Sequence, residues 1–491
     1  MSVIIVACFV FIVLYVLNFY RKVKEYPEGP FPYPVIGNLL QLPQKDIHIW
    51  LDDQAKIYGP CYTIWTPLPC VILTDYAHIK EAFVNQGDTF TYRAHKPPES
   101  LLQPHDNTGI LSSSGDNWRL QRRTSLKILR DFGLGRNIME QQITRSIQEM
   151  LTQLENIADK KEADIFWSIQ LCVGNVINET LFGFHYKFEQ SEKFQKFVKV
   201  VDTHLRHLLG KCSFFVSAFP ILKYVPIIGE LGHHRIVRNI SSYQTFIEEK
   251  VTAHVKSYDR ENEPENFVHA YLQQMDNSGH PGLDMKNLCA SVLDFWLAGM
   301  ETTSNALRWH IAYMMKYPEF QDKVRKEILD NVGTSRLPSM ADKPNLPFTQ
   351  AVIHEVQRHS NMIPFLGTHQ SITDTVILGN SVPAGTNVFA QISSVMRNDP
   401  VFEKPLEFIP SRYLLADGKT FNKEVLEKTI PFSLGKRNCV GEGLARMELF
   451  LIFTALIQKY EFVPNAPVDM GYNDGTVLTV KPYTCQIIPQ F

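Results

Sequence analysis

Cys439 lies in "PFSLGKRNCVGEGLARMELF" (residues 431–450), where a glycine-bearing loop runs into a strongly helical segment. A lone cysteine can be a structural thiol, a catalytic nucleophile or a metal ligand. A nucleophile needs a partner such as His or Asp, and none stands nearby, although one can come from far along the chain. Backbone N–H groups at a helix start favour a thiolate, and Arg437 adds a cation two residues away. This setting favours a thiolate that binds a metal.

The residues around Cys439 also match a known signature, Phe-x-x-Gly-x-Arg-x-Cys-x-Gly. It is met by Phe432, Gly435, Arg437, Cys439 and Gly441. The chain here resembles the cytochrome P450 superfamily, in particular its animal microsomal, xenobiotic-metabolising branch. The resemblance implies that the Cys439 thiolate ligates the iron of haem b (iron protoporphyrin IX). Glycines in the loop would allow the backbone to approach this flat partner.

The resemblance assigns four side chains to the haem propionates: Trp118, Arg122, His369 and Arg437. Trp118 and Arg122 stand four residues apart, so they share one face of a predicted helix. On spacing alone, His369 in "LGTHQS" fits a surface histidine equally well. Some members of the branch carry a further propionate-binding arginine in the loop before Trp118, and "QPHDNTGIL" contains none.

The segment "LDFWLAGMETTSNALRWH" resembles the helix that crosses the oxygen side of the haem in this family. The matching residues are Ala298, Gly299, Glu301, Thr302 and Thr303. Gly299, together with a threonine hydroxyl bonded to the carbonyl one turn back, is expected to open the helix locally for water and O2. By resemblance, Glu301 and Thr302 deliver protons, and Ala298 and Ile363 help to shape the substrate pocket. An ordinary helix with satisfied threonines is the alternative interpretation.

Glu355 and Arg358 stand three residues apart in "HEVQRHS" and are followed by Arg412 in "FIPSRYL". A Glu-x-x-Arg pair arises about once by chance in a chain of this length. The resemblance implies that the three residues form a buried ion network that supports the haem loop. Loss of one member would then leave a buried charge without its partner.

A second pattern in the helix that contains Trp118 is a stripe of cations. At 100° per residue, four basic residues fall within an arc of about 80°, namely Arg119, Arg123, Lys127 and Arg130. A solvated charged face explains this stripe as well as function does. If the helix lies beside the haem, the stripe would suit an acidic redox partner.

Composition limits the class of protein. The chain has 491 residues, is 44% hydrophobic and has a formal net charge of −2, so it can bury a large core and shows no global charge that favours nucleic acid. Its eight cysteines show no disulfide or zinc spacing, which favours a reducing compartment. Helical patterns dominate over short strand-like runs. We therefore expect an α+β fold, mostly α-helical: a single large catalytic domain over residues 45–491 with a smaller β-rich lobe.

The N-terminal stretch "MSVIIVACFVFIVLYVLNFY" carries no charge over 20 residues, about the length that spans a bilayer. It lacks the basic start and the cleavage site of a signal peptide, so residues 1–20 are predicted to be an uncleaved transmembrane anchor. Residues 21–44 form a basic stop-transfer segment and a proline-rich hinge. Arg21, Lys22 and Lys24 place the catalytic domain on the cytosolic side, by resemblance at the endoplasmic reticulum. The apolar, proline-broken residues 212–231 are expected to dip into the same membrane.

These features predict a haem-thiolate monooxygenase that inserts one atom of O2 into lipophilic substrates such as xenobiotics, fatty acids or steroids. The chain shows no flavin domain and no convincing dinucleotide-binding motif, so NADPH would act through an external flavoprotein reductase. Cytochrome b5 is a possible second donor. Two rivals stay open: a haem-thiolate isomerase or dehydratase, and a non-enzymatic haem- or lipid-binding membrane protein.

Overall fold

The computed structural model describes residues 2–94, 105–132, 137–207, 211–365 and 367–491. The α-helices are α1 (Ser2–Val23), α2 (Ile47–Tyr58), α3 (Tyr76–Lys80), α4 (Gly115–Asp131), α5 (Asn137–Glu155), α6 (Phe166–Phe182), α7 (Glu192–His207), α8 (Lys211–Ala218), α9 (Pro226–Gly229), α10 (Arg235–Ser257), α11 (Phe267–Ser278), α12 (Met285–Lys316), α13 (Pro318–Val332), α14 (Pro347–Ser360), α15 (Ile392–Asn398), α16 (Lys423–Lys428) and α17 (Glu442–Lys459). The strands are β1 (Cys61–Trp65), β2 (Pro69–Leu73), β3 (Tyr92–Arg93), β4 (His369–Gln370), β5 (Thr375–Ile377), β6 (Asn380–Val382), β7 (Asn387–Ala390), β8 (Tyr460–Pro464), β9 (Tyr472–Asn473), β10 (Thr479–Val480) and β11 (Cys485–Pro489). The mostly helical α+β fold expected from the sequence is confirmed.

Helix α1 is apolar and exposed along its length, and within the described residues Val3–Val23 is the segment long and apolar enough to cross a membrane. The helix continues three residues beyond the predicted anchor and takes Arg21 and Lys22 into its last turn. Tyr20 stacks on Phe31 with ring centroids 5.3 Å apart. The proline-rich hinge therefore packs back against the end of the helix.

The β-rich lobe is built around a five-stranded sheet with the strand order β1-β2-β7-β4-β3. The short strand-like runs in the sequence form strands; "PCYTIWTPLPCVILTD" contains β1 and β2, and "TDTVILGNSVPAGTNVF" contains β5, β6 and most of β7. Strands β1 and β2 pair antiparallel, and β2 pairs parallel with β7. In the short pair of β3 with β4, Arg93 lies directly opposite His369. This pairing brings two residues from distant parts of the chain to one edge of the lobe.

The helical core is centred on α12, a helix of 32 residues that begins where Asp284 accepts the N–H of Asn287. Gly299 lies within an uninterrupted stretch of this helix. A Cβ added there would come within 2.5 Å of Ile177 Cδ1 in α6. The missing side chain of Gly299 lets α12 pack closely against α6, a role that the sequence did not predict.

Residues 212–231 fold into short helical pieces separated by prolines, including α8 and α9. Several of their apolar side chains face outward; Ile221 is 72% exposed, Tyr224 71% and Ile227 74%. A cluster of this kind differs from the isolated exposed apolar residues of an ordinary soluble surface. The region is thus an apolar surface of the folded domain.

Candidate active site

The loop that carries Cys439 ends at Gly441, the N-cap residue of α17. The Cys439 N–H donates to Phe432 O at 3.0 Å, which folds the loop back on itself. Gly435 has φ 76°, and a Cβ there would collide with the backbone carbonyl of Phe83, so this position requires glycine. A Cβ added at Gly441 would meet only the Cys439 sulfur, at 4.0 Å. The space beside the sulfur is therefore open, as approach of a flat group requires.

Cys439 is accessible to solvent, although the surrounding protein also desolvates its sulfur. Burial raises the pKa of the Cys439 thiol; the Gly441 N–H and the guanidiniums of Arg122 and Arg446 oppose the shift, and Glu442 adds to it. The helix start alone therefore does not hold a thiolate, contrary to the expectation from the loop's position. A cation bound at the sulfur would hold one, because a metal ion deprotonates a thiol that coordinates it.

Three guanidiniums approach one another beside this loop. Arg437 donates to Thr91 O at 2.8 Å, to Ile110 O at 3.0 Å and to Ser113 O. Burial, together with the charges of Arg93 and Arg122, lowers the pKa of Arg437 to about 8, against a smaller effect of Asp294. Because a guanidinium has five N–H donors, two remain for another acceptor. The surroundings of Arg437 therefore favour an added anion.

Trp118 packs against this group of cations, with its ring face toward the Arg437 guanidinium. Its ring is buried, and its Nε1 has no hydrogen-bond partner among the described residues. One turn further along α4, Arg122 donates to Asn438 Oδ1 at 2.6 Å, next to Cys439. A buried N–H without an acceptor is unfavourable by about 1–3 kcal/mol. A carboxylate placed here would accept this N–H and also offset the charges of the arginines.

His369 is buried at the edge of the β-rich lobe, so the surface interpretation is excluded. Its Nδ1 donates to Phe90 O at 2.7 Å, and its ring stacks on Phe83 with centroids 4.0 Å apart. Burial, followed by the charge of Arg93, keeps the pKa of His369 well below its ordinary value. A neutral ring that donates from Nδ1 accepts at Nε2. Donation to a propionate thus requires the imidazolium form, which a neighbouring carboxylate would favour.

The structure adds Arg93, which sequence reasoning missed. It reaches the cation group from β3, where it faces His369, and not from the loop directly before Trp118. Its Nη1 donates to Gly367 O at 2.5 Å and to Thr368 O at 3.1 Å. Of the stretch "QPHDNTGIL", residues 103 and 104 lie outside the described residues. No sequence pattern around Arg93 could have assigned it to the site, because Arg93 reaches the site through the pairing of β3 with β4.

On α12, Ala298 and Thr302 share the face that is open to solvent. Thr302 Oγ1 donates to Ala298 O at 2.7 Å, the hydrogen bond to the carbonyl one turn back that the sequence predicts. Glu301 is buried on another face, with its Oε1 3.9 Å from Arg308 Nη1. The two residues assigned to proton delivery thus point in different directions from the helix. Ile363 lies half-buried just after α14.

The ion network that the family resemblance implies is present in the structure. Arg358 binds Glu355 through both carboxylate oxygens, at 2.8 and 2.9 Å, and Arg412 Nε lies 3.1 Å from Glu355 Oε1. Glu355 and Arg358 side chains are 0% and 1% exposed. Arg358 also donates to Met396 O and Pro405 O, each at 3.0 Å. The network therefore attaches α14 to α15 and to the segment that follows it.

An accessible thiol at a helix start, an open space beside its sulfur, and a buried indole N–H among guanidiniums form the donor set of a haem-thiolate protein. The residues present fit a haem: Cys439 would ligate the iron, and the propionates would lie among Trp118, Arg93, Arg122, His369 and Arg437.

Comparison with known proteins agrees with this class. The family profile of cytochrome P450 matches residues 27–488, and the chain belongs to that family. It is 34% identical over 441 residues to cytochrome P450 2C70 of Mus musculus, which covers 89% of this chain and 88% of the relative. It is also 34% identical over 479 residues to cytochrome P450 2H2 of Gallus gallus, covering 96% and 94%. The protein is thus a monooxygenase of the oxidoreductase class, with haem b as its cofactor and NADPH supplied through a reductase.

Proposed function

We propose that this chain is a membrane-anchored monooxygenase of the endoplasmic reticulum that oxidises lipophilic substrates with electrons from an external NADPH-dependent flavoprotein reductase. The observation that carries the proposal is the Cys439 thiol, which is accessible beside a Gly441 that leaves the space at its sulfur open. When bound, haem supplies the iron at which O2 is reduced, and the thiolate favours O–O cleavage. Family membership supports this class of reaction.

The chain's own residues have separate tasks in this proposal. Trp118, Arg122, His369 and Arg437 hold the propionates, and Arg93 joins them from the sheet. Arg122 also fixes the cysteine loop through Asn438. The ion network of Glu355, Arg358 and Arg412 supports the segments around the haem loop.

Proton delivery is assigned to Thr302 and Glu301. The Thr302 hydroxyl lies at the open face of α12 and can hold a water molecule there. Glu301 is buried near Arg308, so it acts either through water or after its side chain rotates toward the open face. Ala298 is the exposed α12 residue one turn before Thr302, and Ile363 follows α14. These two residues are proposed as walls of the pocket that receives an apolar substrate.

The test of the function is NADPH oxidation with a purified microsomal reductase, combined with product analysis over fatty acids, steroids and drug-like amines. We expect NADPH consumption that rises with substrate and yields products containing one added oxygen atom. Conversion of a hydroperoxide without NADPH would indicate an isomerase or dehydratase. Haem or lipid binding without turnover would indicate the non-enzymatic rival.

The iron ligand is tested separately by substitution. Cys439→Ser should abolish the thiolate-type absorption band of the reduced carbonyl complex. Cys289→Ser is the matched control, because Cys289 is a half-buried cysteine of α12 whose loss should leave the band in place. Retention of the band in Cys439→Ser would mean that another cysteine binds the iron.

The proposed topology has the catalytic domain in the cytosol and the apolar surface of residues 212–231 in the membrane. Arg21 and Lys22 at the end of α1 support that orientation. Asn178 in "NET" and Asn239 in "NIS" begin glycosylation sequons. Asn178 is buried and accepts a hydrogen bond from Trp296 Nε1 at 3.1 Å, so it does not report orientation in the folded protein. Protease added outside intact microsomes should degrade the domain. Protection would overturn the orientation.

Lipid contact and cytochrome b5 complete the proposed set of partners. The outward apolar side chains of residues 212–231 would contact lipid, and the cationic face of α4 would receive acidic redox proteins. Adding cytochrome b5 to the reconstituted system should change the rate of product formation if it binds that face. Unchanged rates at saturating cytochrome b5 would remove it from the proposal.

A further inference from the structure

Asn305 is a fully buried polar residue on α12, three residues after Thr302. Its Nδ2 donates to Leu478 O at 3.1 Å, and its Oδ1 accepts the N–H of Val480 at 3.2 Å. These two bonds reach backbone groups two residues apart, which is how a neighbouring strand would pair with this segment. The carboxamide therefore joins α12 to the segment that forms β10.

The same carboxamide also contacts the segment after α14. Asn305 Nδ2 lies 3.7 Å from Met362 Sδ. The Leu478 N–H donates to Met362 O at 2.7 Å, so the two segments are also bonded to each other. Trp309 adds a second donor to Leu478 O, from Nε1 at 3.1 Å. Asn305 thus lies where three separate parts of the chain meet.

We propose that Asn305 is a positioning residue that sets the shape of the substrate pocket by fixing the segments at Met362–Ile363 and Leu478–Val480 relative to Thr302. The inference rests on the proposed function, in which Ile363 and Ala298 line that pocket. Only a short side chain with a donor and an acceptor at its end satisfies both backbone groups. An aspartate of equal size would keep the Val480 bond and oppose the Leu478 carbonyl with its charge. A serine would reach neither group with the same geometry.

The first measurement is hydrogen–deuterium exchange of the haem-loaded full-length protein in detergent. In Asn305→Ser, the peptide that contains Val480 should exchange about tenfold faster, because the amide loses its acceptor. Ser304→Ala is the matched control: Ser304 is the buried neighbour of Asn305 and bonds Gln170 on α6 at 2.8 Å. Equal exchange at Val480 in Asn305→Ser and in the unaltered protein would overturn the contact.

The second measurement is optical titration with imidazole and with 1-phenylimidazole. Both ligands bind haem iron, but only the larger one needs a correctly shaped pocket. Asn305→Ser should change the ratio of the two affinities by about fivefold, whereas Ser304→Ala should leave it unchanged. Asn305→Asp, which keeps the volume, should shift the ratio in the same direction if it loads haem.

A ratio unchanged in a haem-loaded Asn305→Ser protein would overturn the positioning role. If the unaltered protein took up no haem, the proposed function would fail instead. Hydrogen–deuterium exchange of the haem-free protein would then judge the Asn305 contact alone.

Discussion

The guanidinium carbon of Arg437 lies 4.1 Å from the centroid of the Trp118 indole ring. This contact holds a cation over the ring face while the indole N–H has no partner among the described side chains and backbone groups. Arg93 and Arg122 lie close enough to lower the pKa of Arg437. Arg437 therefore lacks a nearby counter-charge strong enough to offset its neighbours, and the Trp118 N–H lacks an acceptor among the described residues. The two propionates of haem would supply both.

Trp118→Phe keeps the ring under Arg437 and removes only the N–H. Haem loss should accelerate by at least about tenfold, because one hydrogen bond to a charged group is lost. The stability of the haem-free protein should stay the same or rise, since a buried unsatisfied donor is removed. Transfer of haem to excess apomyoglobin measures the first effect, and urea unfolding of the apoprotein measures the second. An apoprotein that is clearly destabilised, with haem loss unchanged, would assign Trp118 to packing.

Thr302→Ala should leave haem binding and the thiolate spectrum intact, because among the described residues the hydroxyl bonds to Ala298 O in its own helix and to no other group. Without the hydroxyl, the water that delivers protons loses its partner at the open face of α12. NADPH oxidation should continue, with hydrogen peroxide replacing product and product yield per NADPH falling by about tenfold. Thr302→Ser is the matched control and should retain coupling. Tight coupling in Thr302→Ala would place the proton path elsewhere.

The cationic stripe on α4 is solvent-exposed, as its spacing predicts. If it receives an acidic reductase, Arg123→Glu with Lys127→Glu should slow reduction of the haem by about tenfold at low salt. The difference from the unaltered protein should shrink as salt screens the charges. Stopped-flow reduction measures the rate. Peroxide-driven turnover, which bypasses the reductase, should change little; equal losses in both assays would indicate a folding defect.

Short-range motifs predicted much of this site because their residues act within one turn or one loop. Glu355 and Arg358 are three apart on α14, a spacing that permits an ion pair, but the family resemblance was needed to predict it. The Thr302 hydroxyl bond to Ala298 follows in the same way. The burial of His369 could not be predicted from the sequence, because its spacing in "LGTHQS" fits a surface histidine equally well.

Residues that act through tertiary packing escaped sequence reasoning. Arg93 reaches the cation group because β3 pairs with β4, a contact between residues far apart in the chain. Gly299 leaves room for Ile177 of α6, and no sequence pattern around Gly299 shows that contact. The Asn305 bonds to Leu478 and Val480 depend on how β10 packs against α12. In each case the partner is set by the fold.

Glu355→Gln should destabilise the protein strongly, because it leaves Arg358 and Arg412 without their buried counter-charge. We expect a loss of about 3–5 kcal/mol in the free energy of unfolding. Asp330→Asn is the matched control: it breaks the exposed ion pair with Lys326, which lies 2.8 Å away, and should change stability by less than about 1 kcal/mol. Urea unfolding of the haem-free protein measures both. Similar small effects in the two variants would exclude a structural role for the network.

Glu448, on α17 nine residues after Cys439, is a buried carboxyl that faces α12. Burial raises its pKa from 4.5 to about 8, and a hydrogen bond from Thr303 offsets part of the effect. Its Oε1 has no partner among the described residues. The side chain is therefore a neutral acid in the folded protein near neutral pH.

This shift gives a pH dependence of stability with a definite sign. Between pH 4.5 and about 8 the folded state keeps the Glu448 proton and the unfolded state loses it. Stability from this group therefore falls as pH rises, by up to about 1.4 kcal/mol per pH unit.

Glu448→Gln keeps the size and the neutral charge of the protonated side chain, so it should remove that slope. Relative to the unaltered protein, the variant should gain stability as pH rises toward 8. Urea midpoints of the haem-free protein across this window measure the effect, with Glu424→Gln, an exposed carboxyl on α16, as the control. Parallel pH profiles for Glu448→Gln and the unaltered protein would show that Glu448 ionises alike in both states.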